Sequence, residues 1–325
     1  MEQTFNTPRV DLGKLTEAVA KVKAEIAKVI VGQTEMIELL LAAILADGHV
    51  LIEGVPGVAK TLSAKLIART IDVEFSRIQF TPDLMPSDVI GTSVFNPQNA
   101  SFQFKHGPIF SNVVLIDEIN RSPAKTQAAL FEVMEEKQVT FDGTTYPMRP
   151  PFLVLATQNP IEQEGTYRLP EAQLDRFLFK IEVKYPTLEE EVMILQHTHE
   201  GRTTHYNTVV EKVLSAEDIT MFREQIVKIY IEPKVLEYIA RIIHETRNNK
   251  SLFLGASPRA SVAILKSAKA FAAMRGRDFV TPDDVILVVP SVLRHRILLT
   301  PEREMEGLTP DEVIQTIMKK IEVPR

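Results

Sequence analysis

The run Gly54-Val55-Pro56-Gly57-Val58-Ala59-Lys60-Thr61 has the residue types and spacing to hold phosphate. It lies between a short apolar run, Val50-Leu51-Ile52, and a helix-like run from Leu62 to Ile71. In a strand–turn–helix unit of this kind the backbone N–H groups of the turn and the helix N-terminus point at an anion. Lys60 would neutralise the outer phosphate oxygens, and the Thr61 hydroxyl would hold Mg²⁺. One letter departs from the pattern G-x-x-x-x-G-K-[ST], because Ala59 stands where Gly is usual. The expectation is that Ala59 is already helical, since only a positive φ demands Gly.

Five further groups could serve the same chemistry. Asp117-Glu118 closes the apolar run Val113-Val114-Leu115-Ile116. A carboxylate at a strand end can hold Mg²⁺ through its water shell, and its neighbour can orient or deprotonate an attacking water. Asn159 ends the next apolar strand, where its amide could position that water against a γ-phosphate. Arg176 lies just before the last strand, where it could reach a neighbouring protomer's nucleotide as an arginine finger; Asp175 beside it offers a plain salt bridge instead. Arg259 falls in the first turn of a helix opened by Ser257-Pro258, where the dipole disfavours a cation by ~0.3–1 kcal/mol. A nucleotide phosphate would account for that placement. Gly32-Gln33 precedes the second helix and could frame an adenine together with Ile30 and Val31.

The elements that must position these groups are readable from periodicity. Apolar Leu15, Val19, Val22, Ile26 and Val29 mark one face of a first helix over about 12–29, and a second is expected over about 34–46. Strands are expected at 50–52, 75–80, 113–116, 152–156 and 177–183, with helices between them. This is the alternation of a parallel βαβ sheet, whose ligands bind beyond the carboxyl ends of its strands. Beyond Pro186 no β-rich run is expected, and helices are read over about 215–230, 233–247, 257–275 and 281–297. Ser257-Pro258 and Thr281-Pro282 are start signals, and Gly276 is a stop.

Composition sets outer bounds. The 325 residues suffice for one large or two medium domains, and 45% hydrophobic with 25% charged residues is the balance of an ordinary globular protein. There is no cysteine, which excludes disulfides and thiolate metal sites. The net charge of -6, without a basic stripe, argues against duplex nucleic acid as the main partner. The longest apolar run, Leu39 to Ala46, falls well short of the about 20 residues that span a bilayer, and a cytoplasmic protein is expected.

Taken together, these segments resemble the AAA+ ATPases and, within them, the MoxR family. The likeness rests on Val31-Gly32-Gln33, Gly54 to Thr61, Leu115-Ile116-Asp117-Glu118-Ile119-Asn120-Arg121, Ala156-Thr157-Gln158-Asn159-Pro160, Leu169 to Phe177, and Gly255-Ala256-Ser257-Pro258-Arg259-Ala260. Arg168 departs from family usage and is assigned no role. The resemblance implies a P-loop NTPase of AAA+ type, with a five-stranded parallel sheet in a core over residues 1–185. A linker over 186–214 and a small all-α lid over 215–325 would follow. It implies ATP and Mg²⁺ as ligands, with Val31, Gly32, Gly54, Val55, Pro56, Gly57, Val58, Ala59, Lys60, Thr61 and Leu62 around the nucleotide. Thr61 and Asp117 would serve the metal and Glu118 would activate water. Asn159 would be the first sensor, Arg176 the trans-acting finger and Arg259 the second sensor.

Segments 83–110 and 138–150, the latter turning at Asp142-Gly143, look like an insert hairpin and a pre-sensor hairpin that face a ring pore. The implied assembly is a ring of this chain, a hexamer. It would remodel or mature client proteins with a von Willebrand factor A-type partner, in the assembly of metal- or cofactor-containing complexes. The alternative is a nucleic-acid-associated AAA+ motor.

Overall fold

The computed structural model describes residues 10–55, 57–98, 100–159, 167, 169–201 and 206–324. Pro56, Pro160 and Arg168 therefore lie outside the described residues. The chain divides into two compact units, one of residues 21–220 and one of residues 221–325 with those up to Ala20. The segment 186–214, expected as a linker, thus groups with the α/β unit, and the division falls inside the first helix, Gly13–Ala27.

The α/β unit is built on one parallel sheet whose strands lie in the order Phe75–Gln79, Val113–Asp117, Leu153–Gln158, His49–Gly54, Phe177–Val183. The three inner strands read as nearly unbroken apolar runs and are buried almost throughout. That pattern is required when both faces of a strand are covered. Helix Thr34–Leu45 packs against His49–Gly54 and Phe177–Val183, and helix Lys60–Thr70 packs against Val113–Asp117. The register sets the carboxyl ends level, with Gln79 opposite Asp117 and Glu53 opposite Gln158. At the opposite end His49 locks the inner strands: its Nδ1 accepts from Val154 N–H at 3.0 Å, and its Nε2 therefore donates to the Met134 carbonyl at 3.1 Å.

Two antiparallel hairpins rise from this unit. One pairs Gly91–Asn96 with Ser101–His106, and the other pairs Gln138–Phe141 with Thr144–Pro147 around Asp142-Gly143, both at positive φ as a tight hairpin turn demands. The root of the first closes so tightly that a Cβ on Gly91, at φ 108°, would lie 2.2 Å from the Lys105 carbonyl oxygen. Phe104 stacks on Phe141 at 4.9 Å and on Tyr146 at 4.7 Å, joining the two hairpins.

The helical unit contains Pro233–Asn248, Pro258–Met274, Pro282–Leu293, Pro301–Met305 and Pro310–Lys320. Each starts on a proline, whose missing N–H and fixed φ suit the first helical turn. Gly276, at φ 71°, follows the second of them. Beyond Pro186 no β-rich run is found among the described residues, although Leu252–Leu254 pairs with Leu298–Leu299 in a short antiparallel ribbon that was not foreseen. Two- and three-residue strands carry too little periodicity to be read. The helix expected to reach about 297 ends at Leu293, before this ribbon, and the last two helices were not expected. Asp284 is fully buried and held by both oxygens: Arg277 donates from Nη2 to Oδ1 at 2.6 Å and from Nη1 to Oδ2 at 2.7 Å. No helix among the described residues is long and apolar enough to cross a membrane.

The turn from His49–Gly54 into Lys60–Thr70 also departs from expectation. Ala59 is not yet helical; it sits in the left-handed region at φ 59°, ψ 18°. A Cβ in that region costs roughly 1–2 kcal/mol, against roughly 0.5–1 kcal/mol for the added freedom of Gly in the unfolded chain. Ala59→Gly is therefore expected to leave the α/β unit unchanged or more stable by up to about 1 kcal/mol. Denaturant unfolding of the two proteins checks this, and a loss of that size would mean the position is not left-handed.

Candidate functional site

A cleft of about 370 Å³ opens at the carboxyl ends of the strands, lined by Gly57, Ala59, Lys60, Thr61, Leu62, Arg77, Gln79, Asp117, Glu118, Thr157 and Asn159. Eight of the eleven were singled out from the sequence. They come from four chain segments that the strand order brings side by side. Gly54 ends its strand, and Val58, near the start of the P-loop helix, is buried. Val55 continues from that strand, and Pro56 is outside the described residues.

Lys60 reaches back across the turn and donates from Nζ to the Gly54 carbonyl at 2.5 Å. Burial pushes its pKa below the usual lysine value, while the charges of Asp117, Glu118 and Glu53 oppose that shift. A desolvated ammonium with a single carbonyl acceptor retains two donors for an anion in the cleft. Beyond it, the left-handed Ala59 and Gly57, at φ 89°, bend the backbone ahead of a helix N-terminus.

Asp117 is 7% exposed. Its Oδ1 accepts from Thr157 Oγ1 at 3.1 Å and its Oδ2 from Arg77 Nε at 2.6 Å. Glu118 turns into the left-handed region at φ 58°, ψ 52°, and its N–H donates to Thr157 Oγ1 at 3.0 Å. A non-glycine residue there costs on the order of 1–3 kcal/mol and persists only where its surroundings fix it. The reversal lets two neighbouring carboxylates serve one cleft, although successive strand residues point to opposite faces. Gln79 Nε2 donates to Glu118 Oε2 at 2.8 Å, and Arg121 Nε pairs with the same oxygen at 3.1 Å.

Arg77, Gln79 and Thr157 were not singled out from the sequence. The pattern that could have found the first two is the polar–apolar–polar alternation Arg77-Ile78-Gln79 on the strand beside Asp117. Thr157 lies one pleat from Asn159 on a strand already recognised.

The remaining expected residues lie elsewhere. Val31 is buried, and Gly32 and Gln33 are consecutive left-handed residues ahead of helix Thr34–Leu45. A Cβ on Gly32 would fall 2.3 Å from Glu190 Oε1, and Gln33 Nε2 donates to the Lys184 carbonyl at 3.3 Å. Arg176 does not take Asp175 as its described partner. Its Nη1 donates to the Phe131 carbonyl at 2.6 Å and pairs with Glu135 at 3.3 Å, at the foot of the sheet's outer strand. Arg259 belongs to the helical unit, exposed in the first turn of Pro258–Met274. The loop before it is fastened to helix Pro233–Asn248, where Ala256 N–H donates to Thr246 Oγ1 at 3.0 Å and Arg247 Nε to the Ala256 carbonyl at 2.9 Å.

Among the described residues no group of three or more His, Asp or Glu could cage a metal ion. The donors fit Mg²⁺ all the same. Mg²⁺ is commonly held by one carboxylate and a hydroxyl together with waters and substrate phosphates, and Asp117 and Thr61 are the protein groups of that set.

Residues 49–179 match the profile of the ATPase family associated with various cellular activities (AAA), and residues 244–317 match the AAA lid domain. The chain is 45% identical over 310 residues to chaperone MoxR1 of Mycobacterium tuberculosis, covering 93% of this chain and 81% of that one. It is also 45% identical over 306 residues to the uncharacterised YeaC of Bacillus subtilis, covering 94% and 95% respectively. Identity to protein MoxR of Methylorubrum extorquens is 30% over 348 residues, covering 98% of this chain and all of that one. A crystal structure of a Cytophaga hutchinsonii protein put forward as an ATPase superposes with a TM-score of 0.89 at 45% identity, covering 96% and 97% of the two chains. A phosphate-binding turn, a paired carboxylate and a helical lid in this order, matched across nearly the full length by MoxR proteins, make this chain a member of the MoxR family of AAA+ ATPases.

Proposed function

We propose that this chain hydrolyses ATP with Mg²⁺ in the cleft around Lys60 and uses the cycle to remodel or mature client proteins. The observation that carries this reading is the meeting of Lys60, Thr61, Asp117, Glu118 and Asn159 in one cleft from separate chain segments. Mg²⁺, when bound, would supply positive charge to the phosphate oxygens, with Thr61 and Asp117 as its protein ligands. Lys60 binds and orients the phosphates. Glu118 accepts the proton of the attacking water, and Asn159 positions that water. Val31 and Gly32 border the base, and Arg259 is assigned as second sensor on the family resemblance alone. Arg176, whose guanidinium here donates from Nη1 to the Phe131 carbonyl and would exchange that contact, serves the neighbouring protomer's nucleotide in a ring, a hexamer by family likeness.

The relative named as a chaperone supports the remodelling role. A von Willebrand factor A-type partner, and clients that carry metal or cofactor sites, follow from the family resemblance. The protein would act in the cytoplasm. The domain plan proposed for function is a nucleotide core to about residue 185 and a lid from about residue 215.

Lys60→Ala is expected to weaken nucleotide binding roughly 10- to 100-fold, the loss of charge-assisted bonds of about 1.5–3 kcal/mol. Unchanged affinity of a fluorescent ADP analogue would remove Lys60 from the site. Glu118→Gln should bind nucleotide as the wild type does while turnover falls at least about 100-fold, as for a lost general base. Turnover at the wild-type rate would end that assignment. Arg176→Ala should lower turnover about 1000-fold with affinity retained, the scale of a missing arginine finger. An equimolar mixture of Arg176→Ala and Glu118→Gln should recover part of the activity, because some interfaces then combine an intact Glu118 with an intact Arg176. Absence of recovery in a protein shown to be a ring would place Arg176 outside its neighbour's site.

A further inference from the structure

Arg77 is the charged residue in the cleft for which the hydrolytic scheme has no use. It stands on the outer strand Phe75–Gln79, its side chain is 49% exposed, and its Nε lies 2.6 Å from Asp117 Oδ2. The other carboxylate oxygen is taken by Thr157, so Oδ2 is the one available to a cation entering from the cleft, and Arg77 covers it.

The form of this contact matters. Asp284 in the helical unit shows what a structural pair looks like in the same chain: the carboxylate is fully buried, and Arg277 grips both oxygens with two nitrogens. Arg77 instead touches Asp117 through Nε alone, while its Nη2 leans on Gln79 Oε1 at 3.4 Å. A one-point contact on a half-exposed, flexible arm is weaker than a bidentate one and can be exchanged. Asp117 is nearly buried, and a buried carboxylate left without a counter-charge is costly. Lys60 supplies positive charge from across the turn, and Arg77 is the cation hydrogen-bonded to the carboxylate.

We propose that Arg77 is a cation placeholder: it neutralises Asp117 in the nucleotide-free site and competes with the divalent cation for Oδ2, so that metal entry and Arg77 release are one exchange. This rests on the reading of the cleft as a Mg²⁺–nucleotide site. Arg77 is then a positioning residue that sets how much Mg²⁺ the site requires.

The test is binding of a fluorescent ADP analogue by the full-length wild type, Arg77→Gln and Arg77→Lys, titrated from EDTA to millimolar Mg²⁺ at fixed pH. The half-saturating Mg²⁺ concentration is expected to fall roughly fivefold in Arg77→Gln, the scale of losing a competing, partly exposed ion pair. Arg77→Lys should lie between the two. An equal or higher Mg²⁺ requirement in Arg77→Gln overturns the proposal; should that variant not fold, the same comparison is made with Arg77→Lys. Wild-type protein that binds nucleotide with no Mg²⁺ dependence also overturns it. Wild-type protein that binds no nucleotide at all overturns the nucleotide reading itself, and the placeholder role with it.

Discussion

A carboxylate at the end of a buried strand dictates much of what surrounds it. The strand that carries Asp117 is covered on both faces and leaves the carboxylate little water. Such a group is tolerated only where donors and cations supply what the solvent does not. Thr157 comes from the strand on one side and Arg77 from the strand on the other, with Lys60 across the turn. The parallel register that sets Gln79 and Asp117 level makes this possible, since a shift of one residue would turn these side chains to the other face.

The same constraint accounts for where the backbone leaves its comfortable regions. Ala59 and Glu118 are both left-handed without being glycine, and both line the cleft. At Ala59 the bend sets the helix N-terminus at the cleft; at Glu118 it turns a second carboxylate toward the cleft lined by the first. Strain at two such points costs on the order of 1–3 kcal/mol each, within what a unit with a continuous apolar core can sustain.

Most of this frame is legible in the residues because parallel sheets leave strong traces. Buried strands appear as short apolar runs, and the residues just past them are where ligands bind, so Lys60, Asp117 and Asn159 stand out. What escaped is of a different kind. Arg77 and Gln79 lie on an outer strand whose alternation resembles any half-exposed strand, and their importance comes from a neighbour that only the register reveals. The sign of φ at Ala59 is set by the turn it closes and not by its own side chain. The ribbon of Leu252–Leu254 with Leu298–Leu299 joins segments distant in the chain by too few residues to leave a period. Arg176 has an acid beside it in sequence, but the structure prefers Phe131 and Glu135 from the helix packed nearby.

The stack of Phe104 on Phe141 and Tyr146 binds together two hairpins that the chain makes separately. Aromatic pairs of this sort add about 0.5–1.5 kcal/mol each beyond burial, so swinging one hairpin alone means prising Phe104 out of its seat. The exposed Phe95–Phe102 pair sits on the first hairpin, while the second leads directly into Leu153–Gln158, the strand that bears Thr157 and precedes Asn159. Whatever leans on the outer hairpin therefore pulls on a yoke of two hairpins, one arm of which runs into the amino end of the strand whose other end reaches the cleft.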